Sequence, residues 1–277
     1  MKDVFKSREF EFTVYGNLAL FSDPVTKLGG EKFSYPFPTY EAIKRITAAI
    51  YWKPTIIWKV DEVRIMNRIA NRSVPVRTMK MDNAGAAGIS YYNYLTNVRY
   101  NVRVHFEWNL NRPDLAEDRI AAKHEEIFRK ALRRGGRRNI FLGASECAAY
   151  VEPCVFEDGT SFYDGVESLS TGTQMFHSYV YADEAFSDET AGKVTKLLWI
   201  PVMKNGIIDF PDPSDCKTMV TVSDQSFIKV FSKSGNHYEK AEDFYKKAGR
   251  FCGRTSAEQT QTDRRKHKAV RKGGTKR

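Results

Sequence analysis

Apolar and polar residues alternate most cleanly over Val98, Tyr100, Val102, Val104, Phe106 and Trp108, with Arg99, Asn101, Arg103, His105 and Glu107 between them. A period of two sustained over this stretch predicts a long strand with one dry face and one wet face. The shorter alternation of Phe10, Phe12 and Val14 with Glu11, Thr13 and Tyr15 predicts a half-buried first strand before Gly16. After a loop through Asp23-Pro24, Gly29-Gly30, Pro36 and Pro38, the spacing of Ile43, Ile46 and Ile50 becomes helical. Thr39 is suited to cap that helix, and Pro54 forces its end close to Tyr51, which lies at the edge of the apolar stripe.

Residues 55–66 read as a second strand whose alternation slips at Asp61-Glu62, as a bulge would produce. A flexible connection then leads to the long strand, and within it Asn83-Ala-Gly-Ala-Ala-Gly88 reads as a mobile loop or a plain linker. Beyond Pro113 the helical period returns, with His124, Phe128, Ala131 and Leu132 on one side and Gly135-Gly136 as the stop. Residues 137–143 then read as a further strand. Strand-helix-strand occurs twice in that order, which predicts an α+β, ferredoxin-like (RRM-like) sandwich over residues 1–150. Short aromatic runs split by Gly, Pro and Asp predict a smaller antiparallel β-subdomain over 151–249, followed by a basic tail at 250–277.

The chain has 277 residues, 42% of them apolar, enough for a substantial core. It contains no run of eighteen apolar residues and opens without an apolar signal region, so the expected compartment is the cytoplasm, away from membranes. Cys147, Cys154, Cys216 and Cys252 have no paired metal-ligand spacing and are expected to be free thiols. The net charge of +10 is concentrated: residues 250–277 carry +8 and residues 119–138 carry +6, so everything else sums to −4. Localised positive charge of this kind points to an extended polyanion as partner, although the tail also suits a disordered solubilising segment.

Lys123 and His124 are adjacent within the internal basic run, which also holds Arg133, Arg134, Arg137 and Arg138. With no metal-binding motif in the chain, chemistry on a phosphodiester would fall to acid/base groups and a fixed cation. RNA permits this, because its 2′-hydroxyl lies beside the scissile phosphate and can attack in line to give a 2′,3′-cyclic phosphate. A histidine titrating near neutrality suits proton transfer, a lysine suits charge stabilisation, and Tyr51 can hydrogen-bond the phosphate or the 2′-hydroxyl. Adjacent helical side chains diverge by about 100°, so Lys123 and His124 would flank a phosphate from two sides. Each residue also has a plainer reading: His124 as a packed histidine beside Phe128, Lys123 as surface charge, Tyr51 as a core cap. An RNA strand could lie on Arg99, Arg103 and His105 of the long strand, or that face could simply be solvated. Tyr91, Tyr92 and Tyr94 could stack on bases or fill the core.

Several blocks resemble the CRISPR-associated fifth protein family, Dvulg subtype (type I-C). They are Val14-Tyr-Gly-Asn-Leu-Ala-Leu-Phe-Ser-Asp-Pro24, the stretch from Tyr35 ending in Ile50-Tyr-Trp-Lys-Pro54, His105-Phe-Glu-Trp-Asn109, Lys123-His-Glu125 and Gly135-Gly-Arg-Arg-Asn-Ile-Phe-Leu-Gly-Ala-Ser-Glu-Cys147. Gly172-Thr-Gln-Met-Phe-His-Ser178 and Val202-Met-Lys-Asn-Gly206 continue the match, which spans about residues 8–215 in order. The resemblance implies a ferredoxin-like repeat-associated protein of antiviral defence with a C-terminal β-subdomain. It further implies a metal-independent endoribonuclease, needing no cofactor, that cuts precursor CRISPR RNA within each repeat hairpin. Such proteins then stay on the 5′ handle beside the other subunits of a type I-C surveillance complex. The family's catalytic tyrosine falls on Tyr51 and its lysine and histidine on Lys123 and His124, while the tail after Arg250 lies outside its pattern.

The competing expectation is a non-catalytic scaffold that grips an already processed guide RNA. A third is a general basic nucleic-acid protein working through its tail. DNA is left open as a further ligand.

Overall fold

The computed structural model describes residues 5–24, 26, 30–79, 87–225, 227–232, 235–240 and 243. In chain order the first half forms β1 (Phe10–Ala19), β2 (Lys32–Phe33), α1 (Tyr40–Ile50), β3 (Ile56–Ile65), β4 (Asn71–Met79), β5 (Ala87–Trp108), α2 (Ala121–Arg133), β6 (Ile140–Phe141) and β7 (Ala148–Pro153). The second half adds β8 (Leu169–Ser170), β9 (Met175–Val180), β10 (Val194–Trp199), β11 (Val202–Lys204), β12 (Ile207–Asp209), β13 (Thr218–Ser223), β14 (Phe227–Ser232) and β15 (Gly235–Lys240). Among the described residues no helix is long and apolar enough to cross a membrane.

The main sheet runs β6-β7-β1-β5-β3-β12-β11-β8, with β2 and β4 also paired to β5. All its pairings are antiparallel except the short β2–β5 contact. The protein is thus α+β with a mostly antiparallel sheet, as expected. The dry face of β5 is as read from the sequence: Tyr100, Val102, Val104 and Phe106 are buried, and they pack with Phe10, Phe12 and Val14 of β1. Both helices cover this face. Ile43, Ile46 and Ile50 of α1 are buried, and so are Phe128 and Leu132 of α2. The Phe128 ring sits 4.7 Å from Phe10 and 4.8 Å from Trp58.

Local chemistry sets the boundaries. The Thr39 side chain accepts from the Ala42 amide, and Tyr51 closes α1 with its amide bonded to the Thr47 carbonyl, three residues before Pro54. The bulge expected at Asp61-Glu62 is present: Val60 pairs with Val104 and Glu62 with Arg103, so Asp61 is extra. Inward positions accordingly change from Ile56, Trp58 and Val60 to Val63 and Ile65.

Four expectations are corrected. The connection before residue 98 is not merely flexible: β4 pairs with the first half of β5 from Asn71–Leu95 to Met79–Ala87, making one strand of 22 residues. Its apolar signal is faint because β4 is an edge strand, mostly exposed, which also accommodates Pro75. Of the loop read at 83–88, residues 83–86 lie outside the described residues, while Ala87 and Gly88 belong to β5. Second, only Ile140–Phe141 of 137–143 is strand, and β7 takes the place beside β1 because it offers a longer ladder. Third, the polar face of β5 is wet only at Arg99 and is covered or half covered from Asn101 to Glu107. Asn101 and His105 are buried: the segment after β7 covers Asn101, with the Phe156 carbonyl accepting from its Nδ2 at 3.1 Å, and Asp61 and Glu107 stand against His105. Fourth, the boundary at 150 falls inside β7, and β8, β11 and β12 extend the first sheet through β3 rather than standing apart. Among the described residues, β13-β10-β9 and the β14–β15 hairpin form separate sheets.

Cys147, Cys154 and Cys216 are free thiols, while Cys252 and the 250–277 tail lie outside the described residues. Gly143 shows how tightly the turn before β7 docks on the end of β1. Its φ is +90°, and a Cβ there would stand 2.1 Å from the Leu20 carbonyl oxygen. Gly143→Ala is therefore expected to lower unfolding stability by at least about 1–3 kcal/mol, read from urea melts; an unchanged midpoint would overturn this docking.

Candidate active site

The C-terminus of α1, the start of β3 and the N-terminus of α2 meet at one end of the helical layer. Tyr51 leaves α1 in an extended conformation, and its carbonyl accepts from Trp58 Nε1 at 2.8 Å. Its hydroxyl reaches His124 Nδ1 at 2.8 Å. The other ring nitrogen, Nε2, lies 2.7 Å from the backbone carbonyl of Asp118. A carbonyl can only accept, so Nε2 carries a proton and, in the neutral ring, Nδ1 accepts from the Tyr51 hydroxyl. His124 is completely buried and Tyr51 is 2% exposed. Trp108 and Phe106 present T-shaped contacts to the imidazole, with ring centroids 5.7 Å and 6.0 Å away.

Lys123 points elsewhere, as the helical divergence requires, and its ammonium pairs with the Asp118 carboxylate. Asp118 lies in the short turn Pro113–Asp118 before α2 and also accepts from the Thr55 hydroxyl at 2.7 Å. One residue therefore links the two, holding Lys123 through its carboxylate and His124 through its carbonyl. Burial pushes the Asp118 carboxyl up, but hydrogen bonds from Lys123 and Thr55 and the lysine's charge outweigh it and hold it below the usual carboxylate range. Tyr51 is pushed up to about 12 by burial and then by the Asp118 charge, against Arg137. The phenol thus keeps its proton and serves as a hydrogen-bond donor. Asp118 and Thr55 escaped the sequence reading. An acidic residue just ahead of a helix N-terminus was the available signal, because that position favours negative charge.

The structure brings together Tyr51, Lys123 and His124, and of the other candidates Arg137 is near enough for its charge to act on the Tyr51 phenol. Arg133, the last residue of α2, and Arg134, Arg137 and Arg138 beyond it are exposed, and the amides of Arg137 and Arg138 return to the Ala49 carbonyl at 3.2 Å and 3.1 Å. Arg99 is exposed and lies over the Tyr15 ring at 5.5 Å. Arg103 and His105 are committed within the protein. Arg103 Nε donates to Glu11 at 3.1 Å, its Nη1 pairs with Glu62, and its guanidinium lies over Phe156 at 4.3 Å. His105 Nδ1 lies 2.8 Å from both Asp61 carboxylate oxygens. Of the three tyrosines near the hairpin, Tyr94 is buried against Glu146 while Tyr91 is half exposed.

A mostly antiparallel α+β protein with a tyrosine, a histidine and a lysine gathered at the meeting of its two helices is the class that fold and site define. A family model described as CRISPR-associated protein, of the Cas5d kind, matches residues 10–211. The chain belongs to this Cas5d family of CRISPR-associated proteins, as the sequence blocks led one to expect. It is 28% identical over 174 residues to a CRISPR pre-crRNA endoribonuclease Cas5d of Thermus thermophilus, a match covering 59% of this chain and 70% of that one. A crystal structure of a CRISPR-associated protein is similar with TM-score 0.64 and 35% identity, covering 79% of this chain and 99% of the other. A functionally uncharacterized protein of Streptococcus mutans is similar with TM-score 0.65 and 36% identity over 79% of this chain and all (100%) of its own.

Two outcomes follow from this geometry. Tyr51→Phe leaves the His124 Nδ1 lone pair buried without a donor, so stability should fall by about 1–3 kcal/mol in chemical denaturation; a neutral substitution would mean that the hydroxyl does not hold the ring. For His105, burial works against the charged ring, but hydrogen bonds to Asp61 and Glu107 and the Asp61 charge outweigh it, so its pKa is raised. A folded-state value above the unfolded one contributes stability in full below about pH 6.5 and loses it as pH rises through the raised value. The melting temperature of wild type minus that of His105→Gln should therefore shrink between about pH 5.5 and about pH 8, and a pH-independent difference would remove the ion pair from the account.

Proposed function

We propose that this chain is an endoribonuclease that cuts precursor CRISPR RNA within the repeat hairpin, without a metal cofactor. It then remains on the 5′ handle as a subunit of a type I-C surveillance complex. The observation that carries this reading is the junction itself: a phenol and an imidazole bonded at 2.8 Å from different helices, with an ammonium tied to the same imidazole through Asp118. The sheet order β7-β1-β5-β3 with α1 and α2 on one face supports a ferredoxin-like frame for it. The name of the Thermus thermophilus relative supports the substrate.

The RNA supplies the nucleophile. Its 2′-hydroxyl attacks the adjacent phosphorus, the 2′-proton is taken up, the bond to the 5′-oxygen breaks, and that oxygen receives a proton, leaving a 2′,3′-cyclic phosphate and a 5′-hydroxyl. His124 transfers protons, the Lys123 ammonium faces the charge that builds on the non-bridging oxygens, and the Tyr51 hydroxyl orients the phosphate. Lys123 is the accessible member, its side chain 42% exposed against 29% for Asp118. A phosphate that draws Lys123 away from Asp118 releases the turn whose carbonyl covers His124 Nε2. Arg133, Arg134, Arg137, Arg138 and Arg99 grip the backbone on either side, whereas Arg103 and His105 are taken up by internal carboxylates. On this mechanism DNA could be held but not cut.

One observation favours a second reading, the guide-RNA scaffold. His124 is fully buried with both ring nitrogens engaged, the arrangement of a packing residue. Single-turnover cleavage of the cognate repeat in EDTA separates the two. The nuclease is expected to cut at one site and leave a cyclic or 3′-phosphate end, and His124→Ala to bind normally but cut about 100- to 10,000-fold more slowly. Cutting that needs Mg2+, or a 3′-hydroxyl product, would sink the mechanism; tight binding without any cutting would leave the scaffold.

A further inference from the structure

A cavity of about 250 Å3 opens along α1, where Trp58 of the sheet core and Glu184 are part of its lining. Trp52, the residue after Tyr51, forms one wall; Ala48 and Ala49 form the floor, and Lys44, Arg45 and Arg138 surround them. Its charges are unevenly used. Lys44 is paired with Glu184, and Arg45 is bonded to Glu41 at 2.6 Å while lying over the Tyr181 ring at 5.2 Å. Arg138 is exposed and has no carboxylate partner among the described residues. The cavity therefore offers an aromatic wall together with an uncommitted guanidinium.

A ligand with a flat π-face and a negative charge within reach satisfies both, which is the chemistry of a nucleotide. Position narrows it further. Trp52 adjoins Tyr51 in the chain, and the Arg138 amide is fixed to Ala49 near the end of α1. A second cavity, of about 260 Å3, lies across the Lys44–Glu184 pair and reaches Trp108, whose ring meets His124. The two spaces share Lys44, Trp58 and Glu184 as lining, and Trp58 is the residue whose indole holds the Tyr51 carbonyl.

We propose that the Trp52–Arg138 cavity is a nucleotide subsite that takes one unpaired base of the repeat RNA, stacked on Trp52, with an adjoining phosphate on Arg138. A nucleotide held there fixes the register of the repeat on the protein. This inference rests on the reading that the chain holds repeat RNA; it does not require that the chain cut it.

The test is equilibrium binding of full-length protein to repeat RNA made uncleavable by 2′-deoxy sugars, with single abasic positions stepped through its unpaired nucleotides. One abasic position should weaken wild-type binding by about 5- to 150-fold, the range for loss of one stacked base. Trp52→Ala should lose as much on intact RNA and nothing further at that same position, whereas Trp52→Phe should recover most of the affinity. Undiminished abasic penalties at every position in Trp52→Ala, or wild-type affinity of that variant for intact RNA, would overturn the subsite. Should Trp52→Ala not fold, exposed Arg138 decides: Arg138→Gln should reduce the slope of log affinity against log salt by about one, and an unchanged slope would overturn the proposal. Because this test reads binding and the EDTA assay reads cleavage, coupling of Trp52 to one base in a chain that does not cut in EDTA keeps the subsite and refutes the nuclease, while cutting without that coupling refutes the subsite alone.

Discussion

Trp58 is the side chain on which both helices are indexed. It is 1% exposed on β3, its ring packs against Phe128 of α2 at 4.8 Å, and its indole N–H donates to the Tyr51 carbonyl at 2.8 Å. Phe10 and Phe106 complete the cluster at 5.8 Å and 5.6 Å. Aromatic pairs of this kind contribute about 0.5–1.5 kcal/mol each beyond the area they bury, and the indole bond adds direction to that packing. Phe128 lies one helical turn beyond His124, so seating Phe128 on Trp58 also fixes where the imidazole stands. The same indole fixes the backbone from which the Tyr51 phenol extends. A packing interaction thereby sets the separation of two chemical groups, although neither ring takes part in chemistry.

Charge is distributed by a related logic. Much of the positive charge between residues 119 and 138 is consumed locally. Arg119 donates to the Asn109 and Arg112 carbonyls, Lys123 pairs with Asp118, and Lys130 pairs with Glu126. What remains for a polyanion is the group Arg133, Arg134, Arg137 and Arg138 at the C-terminal end of α2, where a helix also favours positive charge. The arginine in mid-sheet serves a different purpose, since Arg103 neutralises glutamates drawn from β1 and β3 and would be costly to bury without them. Membership of the Cas5d family accords with an RNA partner.

Asp118 gives the site a closed form. A histidine held at both nitrogens is well oriented and inaccessible at once, and the group that closes it is also the counter-ion of the accessible lysine. Orientation and access are in this way controlled by one short segment, Pro113–Asp118.

The periodic elements were legible from the sequence because their cause is local. Val98 to Trp108 must bury one face as a strand, Ile43 to Ile50 must bury one side as a helix, and Thr39, Pro54 and Gly135 act through their own backbone preferences. The slip at Asp61 was legible for the same reason. The β4 strand was not, because an edge strand that buries little leaves no alternation to read. The wetness of Arg103 and His105 was misjudged because alternation shows which side chains share a face and not what later folds over it. The residues of the site were named from family blocks and from the pairing of Lys123 with His124, but their arrangement was not. Tyr51 and His124 are 73 positions apart, and Asp118 entered only when a turn brought its carbonyl to His124 and its carboxylate to Lys123. The sequence by itself determined the elements and the chemical types available. Only the tertiary structure decided which of them touch, because contact between distant segments follows from the packing of Trp58, Phe128 and their neighbours rather than from any pattern along the chain.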